Sequence, residues 1–291
     1  TFALTEKAPD DKIPLITAGY GRSESQDGTV FKWNFPLAGT YWLAADALVQ
    51  TIGKKEGGVD KMKGKTIVHL HIDTAYGREP LPAMRQIAKE WGFRLIEIAI
   101  APPGLEQQSQ WLQIRQAKPD YVILWGWGVM NQTALKAAQK VAFPREKVIG
   151  SWWTGSEEDV IPAGEAAKGY MAATWNVSGK QVPLIADIEK VVYGAGKGNL
   201  QDKSKIGTIL YNRGVSAAVL SVEAIRKAQE KYGKGKAMTG EQVRWGLENL
   251  ALDQKKLDGL GFAGVLRPVS TSCFDHLGAN WARVHTWDGA K

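Results

Sequence analysis

The fold is decided by the stretch GKTIVHLHIDTAYGREPLPAMRQIAKEWGFRLIEIAI, residues 64–100. Within it the run TIVHLHI, residues 66–72, is almost continuously apolar, which is typical of a strand buried on both faces. Apolar side chains then recur at helical spacing over residues 81–91, and a second strand pattern follows at 93–100. A strand, a helix and a strand in this order predict a βαβ unit with parallel strands.

The same alternation continues through the middle of the chain. We predict a helix over 105–117, with Trp111, Leu112 and Ile114 directed inward, and a strand over 121–125. A helix over 132–141 and strands over 147–150 and 170–173 follow. Residues from about 42 to 176 therefore predict one complete lobe of doubly wound α/β structure.

The second half of the chain has a different pattern, with helices at 184–193, 216–231 and 239–250 and few strand signals between them. The other strand candidate is IPLIT, residues 13–17. We therefore predict that the two chain ends build one lobe around the inserted middle one. The predicted N-terminal lobe is 1–38 and 178–266, and the predicted C-terminal lobe is 39–177 and 267–291, joined by three crossings.

Composition argues against several kinds of partner and cofactor. The formal net charge is +7, but lysines and arginines are scattered among acids, so we expect no nucleic-acid partner. The single cysteine, Cys273, cannot form an intramolecular disulfide. His69 and His71 share one face of a strand without a third ligand in view, so we expect neither a metal nor another cofactor.

The motifs of several enzyme classes are missing from the sequence. No GxSxG, P-loop, HExxH or GxGxxG motif stands at a strand-to-helix junction, and GAGKG at 194–198 is an isolated glycine cluster. Asp275 and His276 have no activated nucleophile beside them except Cys273, which lies three residues from the histidine on one irregular segment. We therefore expect a protein that is not an enzyme.

Five segments carry a resemblance to a known family: IPLITAGYGRSES (13–25), FKWNFPLAGTYWLAADAL (31–48), GKTIVHLHIDTAYGRE (64–79), KPDYVILWGWG (118–128) and AAKGYMAATW (166–175). In order and spacing the chain resembles the branched-chain amino acid class of ABC-transporter substrate-binding proteins, whose founding members bind leucine, isoleucine and valine. The resemblance implies the type I periplasmic-binding fold, two doubly wound parallel-sheet lobes with three hinge crossings. Family members begin with further βαβ units, so we expect the first lobe of this chain to lack its N-terminal units.

The resemblance also implies a function. It indicates the solute-binding component of an ABC importer, which closes by a hinge on a small organic solute. The expected partners are an inner-membrane ABC permease and its ATPase, and we expect a monomer. The chain carries no signal-peptide pattern, and a periplasmic or extracellular, membrane-anchored location is what the resemblance implies. A ligand-sensing domain of a receptor or regulator is the alternative, and an α/β enzyme is a weaker one.

The loop after the strand at 13–17 resembles the family's second ligand loop. Ligands of parallel α/β sheets bind beyond the carboxyl ends of strands, where loop amides receive anions. Those amides, with Thr17 or Ser23, could hold a carboxylate, and Arg22 could pair with one bidentately. The alternative is a plain turn with Arg22 in solvent. The candidate residues of this loop are Thr17, Gly19, Tyr20, Gly21, Arg22 and Ser23.

Aromatic residues follow three strand ends of the predicted C-terminal lobe. Tyr76 stands where the family has a tyrosine that reaches the solute, although it could instead be a packing residue at a helix start. Strand alternation predicts that Trp125 and Trp127 share one face, with at least one lining the cleft. After the strand at 147–150 come Trp152 and Trp153.

Trp152 bears on the class of solute. In amino-acid-binding members this position carries an acid for the ligand's ammonium group, so the tryptophan argues against an ordinary α-amino acid. An aromatic cage for a cation remains open, with Glu157, Glu158 and Asp159 near in sequence. We favour an aromatic or apolar carboxylate, or an amino-acid-like compound. Further candidates from the N-terminal lobe are Tyr211, Asn212 and Arg213.

Overall fold

A computed structural model describes residues 1–290 and divides them into two compact units. Unit 1 comprises Thr1–Thr40 and Trp175–Asn280, and unit 2 comprises Tyr41–Thr174 and residues 281–290. The helices are α1 (Phe2–Thr5), α2 (Lys7–Asp11), α3 (Tyr41–Glu56), α4 (Ala75–Arg78), α5 (Leu81–Trp91), α6 (Gln108–Ala117), α7 (Val129–Lys140), α8 (Glu157–Val160), α9 (Pro183–Ile188), α10 (Ile209–Tyr232), α11 (Gly240–Glu248) and α12 (Gln254–Gly259). The strands are β1 (Leu15–Ile16), β2 (Asn34–Phe35), β3 (Thr66–Ile72), β4 (Arg94–Ile100), β5 (Tyr121–Trp125), β6 (Val148–Gly150), β7 (Met171–Thr174), β8 (Ala251–Leu252), β9 (Val269–Ser270) and β10 (Arg283–Thr286).

Unit 2 contains a six-stranded sheet in the order β10-β7-β6-β5-β3-β4. Five of its strands are parallel, and β10 pairs antiparallel with β7 at one edge. The predicted bounds of β3, α5 and β5 are those of the structure. The α/β fold class with a mostly parallel central sheet is therefore confirmed.

The core of unit 2 is formed by the apolar runs that define its strands. Every residue of β5 is buried, and so are Trp111 and Ile114 on α6. The prediction that Leu112 points inward is wrong, since its side chain is 44% exposed. Successive residues lie about 100° apart around a helix, so the residue after Trp111 turns away from the sheet.

Unit 1 contains two small sheets and the long helix α10. β1 pairs parallel with β2, and β8 pairs antiparallel with β9. The sequence predicted few strands in this half. α10 begins at Ile209 rather than at residue 216, with the Thr208 hydroxyl accepting from the Tyr211 amide at 3.4 Å. Two buried polar residues, Asn212 and Arg213, interrupt the apolar pattern of its first turns.

Residues 267–280 belong to unit 1 and not to the C-terminal lobe to which the sequence assigned them. β9 pairs there with β8, and His276 Nδ1 lies 2.9 Å from the carbonyl oxygen of Asn34. The third boundary between the units follows Asn280. The first two boundaries follow Thr40 and Thr174, close to the predicted 38 and 177. None of the helices within residues 1–290 is long and apolar enough to cross a membrane.

Candidate functional site

Six aromatic side chains meet in unit 2 at the carboxyl-terminal edge of its parallel strands. Tyr76 lies on α4, directly after β3, while the tryptophans come from the end of β5, the loop before α7 and the segment after β6. Carboxyl ends of neighbouring parallel strands share one edge of the sheet, which brings these side chains together. We call Tyr41, Tyr76, Trp125, Trp127, Trp152 and Trp153 the aromatic group.

Tyr41, the first residue of α3, lies at the centre of the aromatic group. Its ring centroid is 5.0 Å from that of Tyr76, 5.9 Å from Trp125 and 6.0 Å from Trp152. The ring centroid of Trp127 lies 6.2 Å from that of Tyr76 and 5.3 Å from that of Trp153. Sequence reasoning missed Tyr41 as a site residue, although it lies within the segment at 31–48 that carries the family resemblance.

Hydrogen bonds fix the polar atoms of three members of this group, Tyr41, Tyr76 and Trp153, whereas the buried Trp125 N–H has no partner. The Tyr76 hydroxyl donates to the Gly126 carbonyl at 3.1 Å and pairs with Ser151 Oγ at 2.9 Å. The Trp153 indole N–H donates to the Tyr41 hydroxyl at 3.2 Å. Burial raises the pKa of Tyr76, so its phenol stays neutral. Because these polar atoms are paired within the unit, the group offers mainly ring faces to a ligand.

Trp125 and Trp127 differ sharply in exposure. Trp125 is fully buried, whereas Trp127 is 47% exposed. Strand alternation does not apply to Trp127, because β5 ends at Trp125. Both rings nevertheless contact Tyr76, Trp125 with its centroid at 6.1 Å. Trp127 is therefore the member of the aromatic group that can be changed with the smallest effect on the core.

Asp159, one of the acids near Trp152 in sequence, caps α8. Its Oδ2 accepts from the Ser156 amide at 3.0 Å and from the Ser156 hydroxyl at 2.7 Å. Its Oδ1 accepts from Asn131 Nδ2 at 2.7 Å, and the same amide group donates to the Trp153 carbonyl at 2.8 Å. Burial raises the pKa of Asp159. This carboxyl group thus helps to position Trp153.

The two histidines of β3 are packed within the sheet. His69 Nε2 lies 3.1 Å from the Gly77 carbonyl, and His71 Nδ1 lies 3.1 Å from the Ile72 carbonyl. Burial lowers the pKa of His69 to about 3, so the ring is neutral. Across residues 1–290, no three side chains of His, Cys, Asp or Glu lie close enough together to hold a metal ion.

The residues of the loop after β1 in unit 1 lie in two different environments. Thr17 and Ser23 are buried, the Tyr20 amide donates to the Thr17 carbonyl at 3.0 Å, and Tyr20 itself is exposed. Arg22 is half-buried against aromatic rings, with Cζ 4.9 Å from the centroid of Phe31. The same Cζ lies 5.3 Å from the centroid of Phe2, and Arg22 Nε lies 3.8 Å from Glu24 Oε2. Arg22 is therefore packed on aromatic rings and is not a solvent arginine.

Arg213 on α10 is the second arginine that the sequence singled out. Its Nε donates to Asn176 Oδ1 at 3.2 Å, and its Cζ lies 5.7 Å from the centroid of Trp175. The two contacted residues follow β7 directly, and sequence reasoning named neither as a candidate. The signal for Trp175 was its place at the end of the segment AAKGYMAATW, and Asn176 is the next residue.

Tyr211 and Asn212, the other candidates on α10, have structural partners. The Tyr211 hydroxyl lies 3.4 Å from the Tyr193 hydroxyl, and burial raises the pKa of Tyr211 to about 12. Asn212 Nδ2 donates to the carbonyls of Val177 and Gly179 at 3.0 and 3.1 Å. These contacts hold the segment after Trp175 against the start of α10.

A family model described as periplasmic binding protein matches residues 1–291. The chain belongs to this family. The periplasmic binding protein is similar to a protein of the Pseudomonas fluorescens group that is called an ABC transporter permease, with 46% identity and a TM-score of 0.94, covering 99% of this chain and 69% of that one. It is also similar to a branched-chain amino acid ABC transporter protein of Thermus thermophilus with bound valine, at 23% identity and a TM-score of 0.80, over 99% of this chain and 72% of that one. A third similar structure is a solute-binding protein of Rhodopseudomonas palustris in complex with benzoate, at 17% identity and a TM-score of 0.73, over 100% of this chain and 72% of that one.

The family relationship establishes a solute-binding role. Members are periplasmic or extracellular substrate-binding proteins of ABC transporters, not enzymes, and their partners are a small-molecule solute and a membrane permease. The valine and benzoate complexes are less than 25% identical to this chain and show the fold alone. None of the curated proteins matches the sequence significantly. The branched-chain amino acid class, inferred from the resemblance, stays a prediction.

Proposed function

We propose that this periplasmic binding protein captures a small carboxylate with an aromatic or apolar body for an ABC importer. The aromatic group of unit 2 is the observation that carries the proposal. Aromatic side chains bury large areas and pack on flat or branched apolar ligands in offset or edge-to-face arrangements. Since Tyr41, Tyr76 and Trp153 have their polar atoms hydrogen-bonded, ring faces and edges dominate what the group offers.

Trp152 argues against an α-amino acid as the solute. The resemblance expects an acid at this strand end, and here a buried indole packs 6.0 Å from Tyr41. Burying an ammonium group without a paired carboxylate costs several kcal/mol. The bound benzoate of the R. palustris relative agrees with an aromatic acid, whereas the bound valine of the Thermus relative supports the branched-chain amino acid alternative.

The wider setting of the protein follows from the same proposal. We expect it to be periplasmic or extracellular and monomeric, to bind by hinge closure, and to deliver its solute to an inner-membrane permease driven by an ATPase. Nucleic acid has no part in this function.

Thermal unfolding against a small panel tests the solute class. The panel contains benzoate, phenylacetate, 4-methylpentanoate, valine and choline. A solute at a hundred times its Kd adds about 2.7 kcal/mol to the free energy of unfolding, which raises the midpoint by several degrees. We expect the three carboxylates without an amine to give the shift. A shift with valine alone would favour the branched-chain alternative, and a shift with choline alone would indicate a cation cage.

Replacing Trp127 by alanine tests the role of the aromatic group. Trp127 is partly exposed, so the change should leave the unfolding midpoint almost unaltered. Loss of a ring that packs on the ligand should weaken binding of the best carboxylate by about tenfold or more, measured by calorimetry. Trp245→Ala on α11 of unit 1 is the matched control. Equal affinities of the Trp127 variant and the control would contradict the proposal.

A further inference from the structure

Unit 2 has a groove between α6 and α7, lined by residues within 105–115 and 133–141, which we call the α6–α7 groove. Its volume is about 520 Å³, and no member of the aromatic group lines it. The buried Gln107 ties the loop before α6 to the start of α7, because its Nε2 donates to the carbonyls of Gly104 and Met130 at 2.6 and 2.9 Å. The shape of the groove is therefore fixed by hydrogen bonds within unit 2.

One part of the α6–α7 groove is apolar. Leu105 and Leu112 line it and are 54% and 44% exposed. The buried Trp111 lies beside them, and its indole N–H donates to Gln107 Oε1 at 3.2 Å. Val141 lines the groove from the side of α7. An apolar chain bound here would remove both leucines from water, which favours binding in proportion to the area covered.

Positive charges lie at one end of the same groove. Arg115, Lys136 and Lys140 line it and are exposed, and across residues 1–290 none of the three forms an ion pair or a side-chain hydrogen bond. Lys136 and Lys140 are four residues apart and so share one face of α7. Because α6 and α7 each connect parallel strands of one sheet, they run in the same direction and their last turns lie at the same end.

The charge at this end exceeds what the two helices require. Arg115 and Lys140 stand in last turns, where each helix end carries about half a negative elementary charge. Three positive side chains thus face a total of about one negative charge. Glu106 is the acid among the lining residues, and it precedes α6. At 1.5 Å per residue, the helix from Gln108 to Arg115 alone spans about 10 Å, which is beyond the Debye length of about 8 Å at physiological ionic strength.

We propose that the α6–α7 groove binds a free anionic amphiphile, with its apolar chain along Leu105 and Leu112 and its head group among Arg115, Lys136 and Lys140. Charge complementarity selects an anionic head over a cationic one. The concave shape encloses a single chain, whereas contact with a bilayer requires apolar side chains that protrude. This inference goes beyond the proposed function, since the groove shares no residue with the aromatic group.

Nuclear magnetic resonance titration of the whole chain tests the groove separately from the aromatic group. The probes are decanoate, hexanoate and decyltrimethylammonium, each below the concentration at which it forms micelles. Backbone amide resonances of α6 and α7 report on the groove, and the Trp127 indole N–H reports on the aromatic group. We expect decanoate to shift the α6 and α7 resonances with a Kd below about 1 mM. Hexanoate should bind there at least about tenfold more weakly, because it buries fewer methylene groups, and decyltrimethylammonium should cause no shift there.

Reversing charges tests the head-group end. Lys136→Glu combined with Lys140→Glu should weaken decanoate binding in the groove by at least about tenfold. The matched control combines Lys54→Glu with Lys89→Glu, which changes two exposed lysines in the last turns of α3 and α5 by the same charge. Its affinity should stay within about twofold of the parent protein. All four positions are exposed, so the urea midpoints of both variants should stay close to that of the parent.

Several outcomes would overturn the proposal. Decanoate might shift no resonance of α6 or α7, or bind both double variants equally, and in either case the groove is not an amphiphile site. Equal affinities for hexanoate and decanoate would show a site for the anion alone. Binding to phosphatidylglycerol vesicles that the charge reversal abolishes, without any decanoate shift, would show a membrane-facing surface instead. Failure of aromatic acids to shift the Trp127 resonance would count against the proposed function and leave the groove intact.

Discussion

In unit 2 the Tyr76 hydroxyl and the Trp153 indole N–H are hydrogen-bonded within the unit, whereas in unit 1 the Thr17 hydroxyl and the Trp175 indole N–H are buried without partners. Within the aromatic group the Trp125 N–H is an exception, and His69 Nδ1 and Asn131 Oδ1 elsewhere in unit 2 are also buried without a hydrogen-bond partner. A surface whose polar atoms are already hydrogen-bonded within the protein selects its ligand by shape. Unpaired donors lower the free energy of unfolding until an acceptor binds them, which makes them specific for that acceptor.

The two units also differ in how they are held together. Unit 2 is organised by one six-stranded sheet, and unit 1 has two pairs of short strands with α10 packed on α11. We therefore expect changes in the strands of unit 2 to cost more stability than comparable changes in the helices of unit 1. Three experiments test this contrast.

The largest effect is expected from acid, through His69. Burial lowers the pKa of His69 to about 3, while the unfolded chain titrates near its ordinary value of about 6.5. Between these values the unfolded chain binds a proton that folded unit 2 excludes. The free energy of unfolding therefore keeps its full value above pH 6.5 and falls by about 1.4 kcal/mol for each pH unit below it. Amide hydrogen exchange at pH 7 and pH 4.5 should show a larger loss of protection in β3 than in α10.

His69→Gln is the control for this experiment, since glutamine keeps a donor for the Gly77 carbonyl and does not titrate. Between the two pH values, the free energy of unfolding should fall by about 3 kcal/mol less in the variant than in the parent protein. His276 of unit 1 is also buried with a lowered pKa and remains in both proteins. An identical acid response of parent and variant would show that His69 is not the origin of the effect.

The second experiment is Gly150→Ala in β6. A Cβ at this position would overlap the hydroxyl oxygens of Tyr170 and Thr154, which are hydrogen-bonded to each other at 2.6 Å in the core. Overpacking together with loss of this buried bond should cost about 3 kcal/mol. The midpoint of urea unfolding measures the change. A loss under about 1 kcal/mol would mean that the sheet of unit 2 adapts more easily than its packing indicates.

The same substitution in unit 1 should have the smallest effect and the opposite sign. Gly214 lies inside α10, and a Cβ there meets nothing within 4 Å. Gly214→Ala should therefore add about 0.5–1 kcal/mol, because alanine loses less backbone entropy in a helix. The urea midpoint of this variant should rise as that of Gly150→Ala falls. Destabilisation by both changes would remove the distinction between the units.

The central strands of unit 2 were predictable because they are short apolar runs between turn signals, as in YVILW at 121–125. The start of α10 was not, because Asn212 and Arg213 are polar and yet buried, so they conceal the helical pattern. Their burial depends on Asn176 and Val177, which tertiary structure brings to the helix.

Part of the candidate site was predictable for a similar reason. Tyr76, Trp125 and Trp152 follow strand ends, and the structure brings them together around Tyr41. That they bind a solute stays a prediction. Strand order alone does not place Tyr41, which starts a helix, or Trp175, whose position depends on the close approach of Gly19.

The pairing of β10 with β7 has a consequence for folding. Arg283 pairs with Thr174, more than a hundred residues earlier in the chain. Such a contact closes a long loop and forms slowly compared with local ones. Until β10 has been synthesised, the β7 edge of the sheet stays unpaired, and an unpaired strand edge is a template for pairing between chains. Removal of β10 should therefore show first in a lower yield of refolding rather than in solute affinity.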